Sequence, residues 1–387
     1  MAEALQGIVV LDLTAYLAGP YGCALLGDVG ADIIKIEPPG GDATRQYPSS
    51  LKECRVFLGA NRNKRSIVLN LKEPEGLAAF YRLVEKADVV VQNFRPSVAP
   101  KLGIDYETLR SKRPDLIYCS FTGYGDTGPL KDHPGYDQML QCFSGMAAMQ
   151  GSETGQPEVM LGSIVDYYSA SMIAFAILSA LIHRLRTGEG QHVKASLLRS
   201  AITLQAGQFI WADSEPRDVN RWWPPSYSGI YPTKEGHLYL QATTAAFWKS
   251  LCECLGFPHL GSDPRFDTHK KRVILTDEIR PLIKEALMQH TALEWEQLMH
   301  GSVPCIAVRS IGDMFDHPQV LAEGIVVNQE HPNVGKYRTM GKPVKMGIGD
   351  SPTRRAPMTG EHTDEVLASF GFGGDEIAAL RAKGAVQ

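Results

Sequence analysis

Short apolar runs alternate with helical patterns through the first half of the chain. Residues 7–13 read Gly-Ile-Val-Val-Leu-Asp-Leu, a continuous run of strand length that is rich in β-branched side chains. A turn is predicted at Gly19-Pro20, and a helical pattern follows it. Because fully apolar strands separated by helices are typical of a parallel sheet covered on both faces, the pattern predicts an α/β, Rossmann-like large domain. Further strands of the same kind are predicted at residues 31–37, 67–70, 87–92 and 116–121.

The alternation of apolar strands and helices ends in the second half of the chain. A helix is predicted near residues 196–210, and the polar stretch 218–225, rich in tryptophan and proline, is typical of a linker or loop. We therefore predict a first large domain over residues 1–210 and a smaller α+β domain over 225–325. The smaller domain should contain a hairpin formed by residues 229–233 and 237–241, and helices at 247–255, 276–288 and 293–299.

Composition and charge narrow the class of protein. A net charge of −4 over 387 residues leaves no broad basic surface, so nucleic acid is not an expected partner. The seven cysteines are scattered, and no signal peptide is expected before the first strand, which favours reduced thiols and a cytoplasmic location. Cys252 and Cys254 lack further ligands for a metal site. The apolar run after Asp166 is shorter than the roughly 20 residues of a membrane span, so we expect a buried helix and no membrane partner.

Asp166 lies between a glycine turn and this long apolar helix. A carboxylate in the first turn of a helix faces unpaired backbone N–H groups and the positive end of the helix dipole. That setting predicts an ionised, accessible side chain, as a carboxylate nucleophile requires. Aspartate is also a preferred helix cap, and the sequence alone leaves both interpretations open.

Other motifs are less decisive. No glycine fingerprint for a dinucleotide or a P-loop follows the first strand, although the sheet could hold another adenine nucleotide. Serine-hydrolase and zinc-protease motifs are also missing from the sequence. Cationic residues at 61–66, Lys72, Arg95 and Lys101 stand near predicted strand ends, where they would meet a polyanion or form a solvated basic surface. His133 is typical of a packing or surface histidine.

The chain resembles a known family from its first strand to near its C-terminus. Matching segments occur in family order, and together they are highly specific. The segments are residues 7–14, 18–20, 30–39, 63–67, 92–96, 123–125, 188–191 and 360–367. The family that they resemble is the class III CoA-transferases of the CaiB/BaiF type, which include formyl-CoA transferase, carnitine CoA-transferase and α-methylacyl-CoA racemase.

The resemblance implies a coenzyme A thioester as substrate, a carboxylic acid as its partner and no tightly bound cofactor. It also implies an interlocked homodimer of ring-shaped subunits, with residues 326–387 returning to the large domain. The family nucleophile falls on Asp166. Tyr136 would hydrogen-bond an acyl group, and Asp137 would orient its neighbours. The CoA-contacting positions fall on Tyr16, Leu17, Ala18, Leu69, Lys72, Asn93, Phe94 and Lys101.

Two departures from the family refine the expected reaction. Racemase relatives carry a histidine where this chain has Tyr136, and a tyrosine with a pKa of about 10 is a poor α-proton base. The segment 222–229 replaces a glycine-rich loop with tryptophans and prolines, which favours an acid bulkier than formate or oxalate. We expect CoA transfer through aspartyl anhydride and aspartyl-CoA thioester intermediates. The alternatives are a 2-methylacyl-CoA racemase or isomerase, a nucleotide-dependent oxidoreductase and a non-catalytic acyl-CoA-binding protein.

Overall fold

The structure is a computed structural model that describes residues 2–151, 155–214, 226–347 and 349–387. The chain divides into two compact units. The large unit comprises residues 1–151, 156–215 and 321–387, and the small unit comprises 152–155 and 216–320. The sequence placed the corresponding boundaries at residues 210, 225 and 325.

A parallel sheet forms the centre of the large unit. Its strands are β1 (Val9–Asp12), β2 (Asp32–Glu37), β3 (Lys64–Val68), β4 (Val89–Gln92), β5 (Ile117–Thr122) and β6 (His192–Ser196). Their spatial order is β3-β2-β1-β4-β5-β6, and every neighbouring pair is parallel. This is the strand order of a Rossmann sheet, so the predicted α/β parallel architecture is confirmed. Strand β6 was not predicted, because its sequence His-Val-Lys-Ala-Ser lacks an apolar run.

Helices of this first part connect the strands and cover the sheet. They are α1 (Ala18–Gly27), α2 (Arg55–Ala60), α3 (Pro74–Val84), α4 (Tyr106–Arg110), α5 (Asp137–Phe143), α6 (Met146–Gln150), α7 (Ile164–Thr187) and α8 (Leu197–Thr203).

The small unit combines a short antiparallel sheet with helices. The predicted hairpin is confirmed, and the predicted linker at 218–225 lies outside the described residues. The strands are β7 (Gly229–Pro232), β8 (His237–Leu240) and β9 (Cys305–Ala307), in that order. The helices are α9 (Ala245–Cys254), α10 (His269–Ile274), α11 (Thr276–Leu287), α12 (Ala292–Leu298) and α13 (Ile311–Met314), and α14 (Pro318–Ala322) leads to the C-terminal part.

The C-terminal part belongs to the large unit. It contains the antiparallel hairpin of β10 (Val326–His331) and β11 (Gly335–Met340), and the helices α15 (Thr363–Ser369) and α16 (Gly374–Ala382). Successive side chains of a strand point to opposite faces of a sheet. Leu11 and Ile34 accordingly pack with residues of α3, α15 and α16, whereas Val10 and Ile33 pack with residues of α1 and α7. Both faces of the parallel sheet are therefore covered, as the fully apolar strands require.

The predicted turn at Gly19-Pro20 is wrong, because both residues lie in the first turn of α1. Proline is tolerated there, since the first N–H groups of a helix have no intrahelical partner. A Cβ at position 19 would lie 2.5 Å from Cβ of Thr14, so glycine lets the helix start against the loop that precedes it.

Helix α7 is longer than the sequence predicted, so its length does not exclude a membrane span. Helix α7 continues through charged residues to Thr187 and has 24 residues, which by length and composition alone could cross a membrane. Within its most apolar 18-residue window, 44% of the residues are buried inside the chain. A partly buried core helix passes the same test, so this helix is weak evidence for a membrane.

Candidate active site

A cavity of about 190 Å³ opens at the carboxyl edge of the parallel sheet. The loops after β1, β4 and β5 form its walls, and Asp166 and Leu197 complete it. Strand order reverses between β1 and β4, and this switch point is where open α/β sheets bind their ligands. The lining segments are residues 15–18, 93–96, 121–123, 131 and 133–136.

Chain topology brings Asp166 to this edge. Helix α7 lies between the parallel strands β5 and β6, so it runs back across the sheet and starts at the carboxyl edge. The chain enters the helix through Gly162 at φ 101° and Ser163 at φ 58°, both left-handed conformations. Asp166 is the third helical residue, in the first turn of α7.

Asp137 provides the cap that the start of α7 lacks. Ser163 makes no side-chain cap hydrogen bond, and the backbone N–H of Asp166 donates instead to Oδ2 of Asp137 at 2.9 Å. The other oxygen of Asp137 accepts a hydrogen bond from the side-chain amide of Gln141. That amide group also bonds both backbone groups of Met160, at 2.8 and 3.0 Å. The carboxylate of Asp137 is therefore buried and fully used in holding α7 in place.

The Asp166 side chain is left available for chemistry. Its carboxylate accepts no hydrogen bond from the part of the chain that the structure describes. The alternative that Asp166 caps its own helix is therefore wrong, since Asp137 fills that role from another helix.

The expectation that the helix dipole keeps Asp166 ionised needs correction. Burial, together with the nearby negative charge of Asp137, raises the pKa of Asp166 to about 7. Desolvation disfavours a charged carboxylate, and here it outweighs the helix N-terminus. Near neutral pH the side chain is thus divided between its acid and carboxylate forms.

The loop after β1 forms the opposite wall and has an unusual backbone. Tyr16 adopts a φ of 70°, and its ring packs edge-on against Tyr136 with centroids 6.0 Å apart. Asn93 fixes this loop, because its side-chain amide bonds both the N–H and the C=O of Ala15, at 3.0 and 2.7 Å.

A buried ionic network supports the same loop from below. The Asp12 carboxylate pairs with Nζ of Lys64 at 2.7 Å and accepts the N–H of Thr14 at 2.9 Å. Lys35 donates to the Thr14 carbonyl at 2.9 Å and pairs with Asp42. Burial alone would raise the pKa of Asp12, but the charges of Lys64 and Lys35 overcome it and hold that pKa at about 2.

Both interpretations of residues 61–66, as a polyanion site and as a solvated basic surface, are wrong. Lys64 and Arg65 lie inside β3, because the strand begins three residues earlier than predicted. Lys64 is buried on Asp12, and Arg65 pairs with Asp32 and Glu365. Arg62, the remaining cation of the run, is held by Asp28 with Nε at 2.9 Å from Oδ1. Ion pairs within the chain thus occupy these cations.

The structure brings most of the predicted site residues together. Those that line the cavity are Tyr16, Leu17, Ala18, Asn93, Phe94, Tyr136 and Asp166, and Asp137 lies buried behind them. Three predicted CoA contacts lie outside the cavity: Leu69 is buried and bridges to Val386, and Lys72 and Lys101 are exposed.

Three basic residues in the cavity wall were not predicted from the sequence to lie beside Asp166. Arg95, Lys131 and His133 line the cavity with Asp166. Lys131 was not singled out, and its only signal was its place in a glycine- and proline-rich loop after a strand. Close backbone contact places this loop: a Cβ at Gly135 would lie 2.6 Å from Cα of Gly123. Larger residues at either position would displace Tyr136.

Together these features define a class of enzyme site. At its ligand-binding edge a Rossmann-type sheet carries a carboxylate that accepts no hydrogen bond from the described residues, in a cavity that Arg95 and Lys131 also line. The sequence profile of CoA-transferase family III matches residues 5–363 of the chain. The chain belongs to this family and is a family III CoA-transferase.

Known relatives agree with this assignment. The chain is 36% identical to the succinate–glutarate CoA-transferase of Agrobacterium fabrum, over 95% of each chain. It is 34% identical to the succinyl-CoA:glutarate CoA-transferase of Mus musculus, over 94% of this chain and 85% of the relative. The crystal structure of a CaiB/BaiF family protein from Brucella suis superposes with a TM-score of 0.86 at 30% identity, covering 96% of this chain and all of that one. These similarities do not favour the racemase alternative.

Proposed function

We propose that the protein moves CoA from an acyl-CoA thioester to a free carboxylic acid, with Asp166 as the covalent nucleophile. The observation that carries this proposal is the unpaired Asp166 carboxylate in a cavity at the switch point of the sheet. The relatives act on thioesters and acids of this kind, and near-equal thioester energies allow exchange without ATP.

The first half-reaction forms two covalent intermediates in turn. A carboxylate oxygen of Asp166 attacks the thioester carbonyl carbon, and the C–S bond breaks. The products are free CoA thiolate and an acyl–aspartyl anhydride. The thiolate then attacks the aspartyl carbonyl carbon of that anhydride. The donor acid leaves as its carboxylate, and Asp166 carries CoA as a thioester.

The second half-reaction reverses these steps with a new acid. The acceptor carboxylate attacks the aspartyl thioester carbon and expels the CoA thiolate, which gives a second anhydride. The thiolate attacks the acceptor's acyl carbon, and Asp166 is released as a carboxylate with the new acyl-CoA. First-turn N–H groups of α7 are suited to stabilise the developing oxyanion.

The raised pKa of Asp166 suits this cycle. A carboxylate whose conjugate acid has a pKa of about 7 is more basic than an ordinary aspartate, and so a better nucleophile towards a thioester. Burial also removes water that would hydrolyse the anhydride. Asp137 acts as a positioning residue, because it fixes the first turn of the helix that carries Asp166.

Lys72 and Lys101, the two exposed CoA contacts predicted outside the cavity, belong to the far end of the coenzyme, whereas the side chain of the buried Leu69 is not accessible to it. A cavity of about 190 Å³ is smaller than the usual 300–1,000 Å³ of sites for whole drug-sized ligands, so it suits the reacting acyl end alone. We assign Lys72 and Lys101, both exposed and without an ion-pair partner among the described residues, to the phosphates.

We also propose that the chain works as an interlocked homodimer in the cytoplasm. Helix α7 exposes Phe175 by 65%, Ile182 by 51% and Leu185 by 82%, an apolar surface that a second subunit would cover. All seven cysteines are free thiols, in keeping with a reducing compartment.

Replacing Asp166 tests the mechanism. Asp166→Ala should lower the rate of transfer between a CoA ester and a free acid at least about 1,000-fold, because the covalent route is lost. Hydroxylamine added during turnover should derivatise Asp166 and no other carboxylate, as read by peptide mass spectrometry. Transfer within tenfold of wild type would exclude Asp166 as the nucleophile.

A further inference from the structure

Two cations line the cavity of Asp166 without an ion-pair partner among the described residues. Arg95 and Lys131 line the cavity that contains Asp166, and both side chains are exposed. Neither forms an ion pair or a side-chain hydrogen bond with any residue that the structure describes. They contrast with Arg62 and Lys64, whose charges are neutralised by Asp28 and Asp12.

The two cations are held on adjoining loops. The N–H of Ser97, in the loop after β4, donates to the Asp132 carboxylate, in the loop after β5, at 3.2 Å. This bond ties the segment of Arg95 to the segment of Lys131. Asp132 forms no ion pair with either cation among the described residues, so both cations remain available to a ligand.

One carboxylate of an acceptor must approach Asp166, because that is where the thioester carbon lies in the proposed mechanism. A second anionic group on the same acid would then meet the cationic wall. Both named relatives transfer CoA between succinate and glutarate, acids with two carboxylates. Arginine matches a carboxylate with two parallel hydrogen bonds, which a lysine cannot do.

We propose that Arg95, with Lys131 beside it, binds the second carboxylate of a dicarboxylic acid whose first carboxylate reacts at Asp166. This inference rests on the proposed transferase function and extends it to a substrate class and a specificity residue. The chemistry selects for acids with a terminal anion, such as glutarate, over acids of the same length with a terminal methyl group, such as pentanoate.

The test compares matched acceptors in wild type, Arg95→Met and Arg95→Lys. Succinyl-CoA is the fixed donor, and glutarate, its mono-amide and pentanoate are the acceptors. In a ping-pong exchange, kcat/KM for the acceptor reports the second half-reaction alone, so any effect of Arg95 on the donor does not enter. Arg186→Met is the control: this arginine is also exposed and without an ion-pair partner among the described residues, and lies about 30 Å along α7 from Asp166.

Wild type should prefer glutarate to pentanoate, and Arg95→Met should lower kcat/KM for glutarate about 10- to 100-fold while pentanoate changes less than threefold. Arg95→Lys should restore part of the loss, and Arg186→Met should keep the wild-type preference. The inference is overturned if wild type shows no preference for glutarate over pentanoate. That result would not contradict the proposed CoA-transferase function. The inference is also overturned if Arg95→Met lowers kcat/KM equally for all three acceptors, which is the result expected from loss of a contact with a CoA phosphate. Absence of transfer to any acid would contradict the proposed function as well.

Discussion

Two carboxylates of the large unit lie near the same edge of the sheet in opposite electrostatic states. Asp12, at the end of β1, is fully buried among Lys64, Lys35 and Thr14, and its pKa is held at about 2. Asp166, at the start of α7, is less buried, has no cationic partner among the described residues, and has a pKa raised to about 7. The more buried carboxylate is thus the more acidic one. Counter-charges, and not depth, decide which carboxylate stays ionised.

This difference fits a structural role for Asp12 and the chemical role proposed for Asp166. The ion pair and hydrogen bonds of the Asp12 carboxylate hold the loop that contains Tyr16, so the charge of Asp12 has a structural role. The charge of Asp166 is destabilised in the folded protein, and the covalent bonds proposed above for this side chain would remove it. Strongly shifted pKa values in a cleft are typical of such reacting groups.

Breaking the Asp12 network should have the largest effect. Lys64→Met leaves the Asp12 carboxylate buried without its closest counter-charge and removes donors to Pro20 and Asn61. Loss of one partner of a buried pair is expected to lower the free energy of unfolding by about 3–5 kcal/mol. Urea denaturation at pH 7 measures this loss.

The double variant Asp12→Asn/Lys64→Met is the matched control. It removes both charges, so it should recover part of the stability lost in Lys64→Met. A single variant as stable as wild type would show that Asp12 needs no counter-charge, and the comparison with Asp166 would fail.

The sequence revealed the sheet but not the pairing of its charges. Continuous apolar runs predicted β1 to β5, whereas the polar edge strand β6 was missed. The basic run at 61–66 could not be assigned, since its partners Asp12, Asp28 and Asp32 lie more than 30 residues away. Ion pairs of such sequence separation follow from the strand order, which the pattern alone does not give.

The sequence singled out Asp166 as the candidate nucleophile but did not predict the environment of its side chain. The resemblance to the family placed Asp166 in the site, and the first-turn position suggested an ionised group. Its raised pKa depends on burial and on Asp137, which lies 29 residues earlier and is brought in by α5. The cationic wall of Arg95 and Lys131 likewise forms only when two loops meet.

Neutralising Asp166 should stabilise the protein. Because the folded pKa is above the ordinary value of 3.8, the cost of ionising Asp166 is absent below about pH 4, grows as pH rises, and is complete above about pH 7. The full shift would correspond to about 4 kcal/mol, and partial exposure to water reduces this, so we expect Asp166→Asn to add about 2 kcal/mol at pH 8. Denaturant unfolding at pH 8 and pH 5 should give a gain that falls by more than half at the lower pH.

Asp12→Asn should change the free energy of unfolding in the opposite direction to Asp166→Asn. The pKa of Asp12 is depressed, so its charge contributes stability above about pH 4 that is lost as pH falls towards 2. This variant should be destabilised at pH 8. Equal effects of the two Asp→Asn changes would contradict the contrast between the two carboxylates.

The smallest expected effect is a shift of the pH profile in Asp137→Asn. Asparagine can still accept the N–H of Asp166 at the cap of α7 while one negative charge is removed, and its NH2 group replaces the oxygen that accepts from Gln141, so that second hydrogen bond is lost. With a pKa of about 7, wild-type Asp166 is ionised to about one tenth at pH 6, and kcat/KM for the acyl-CoA should be about one tenth of its plateau. Without the charge of Asp137 the pKa of Asp166 should fall, and the variant should reach more than about one third of its own plateau at pH 6. Asp137→Ala, which also removes the cap, should lower the plateau itself, and an unchanged profile in Asp137→Asn would mean that burial alone sets the pKa of Asp166.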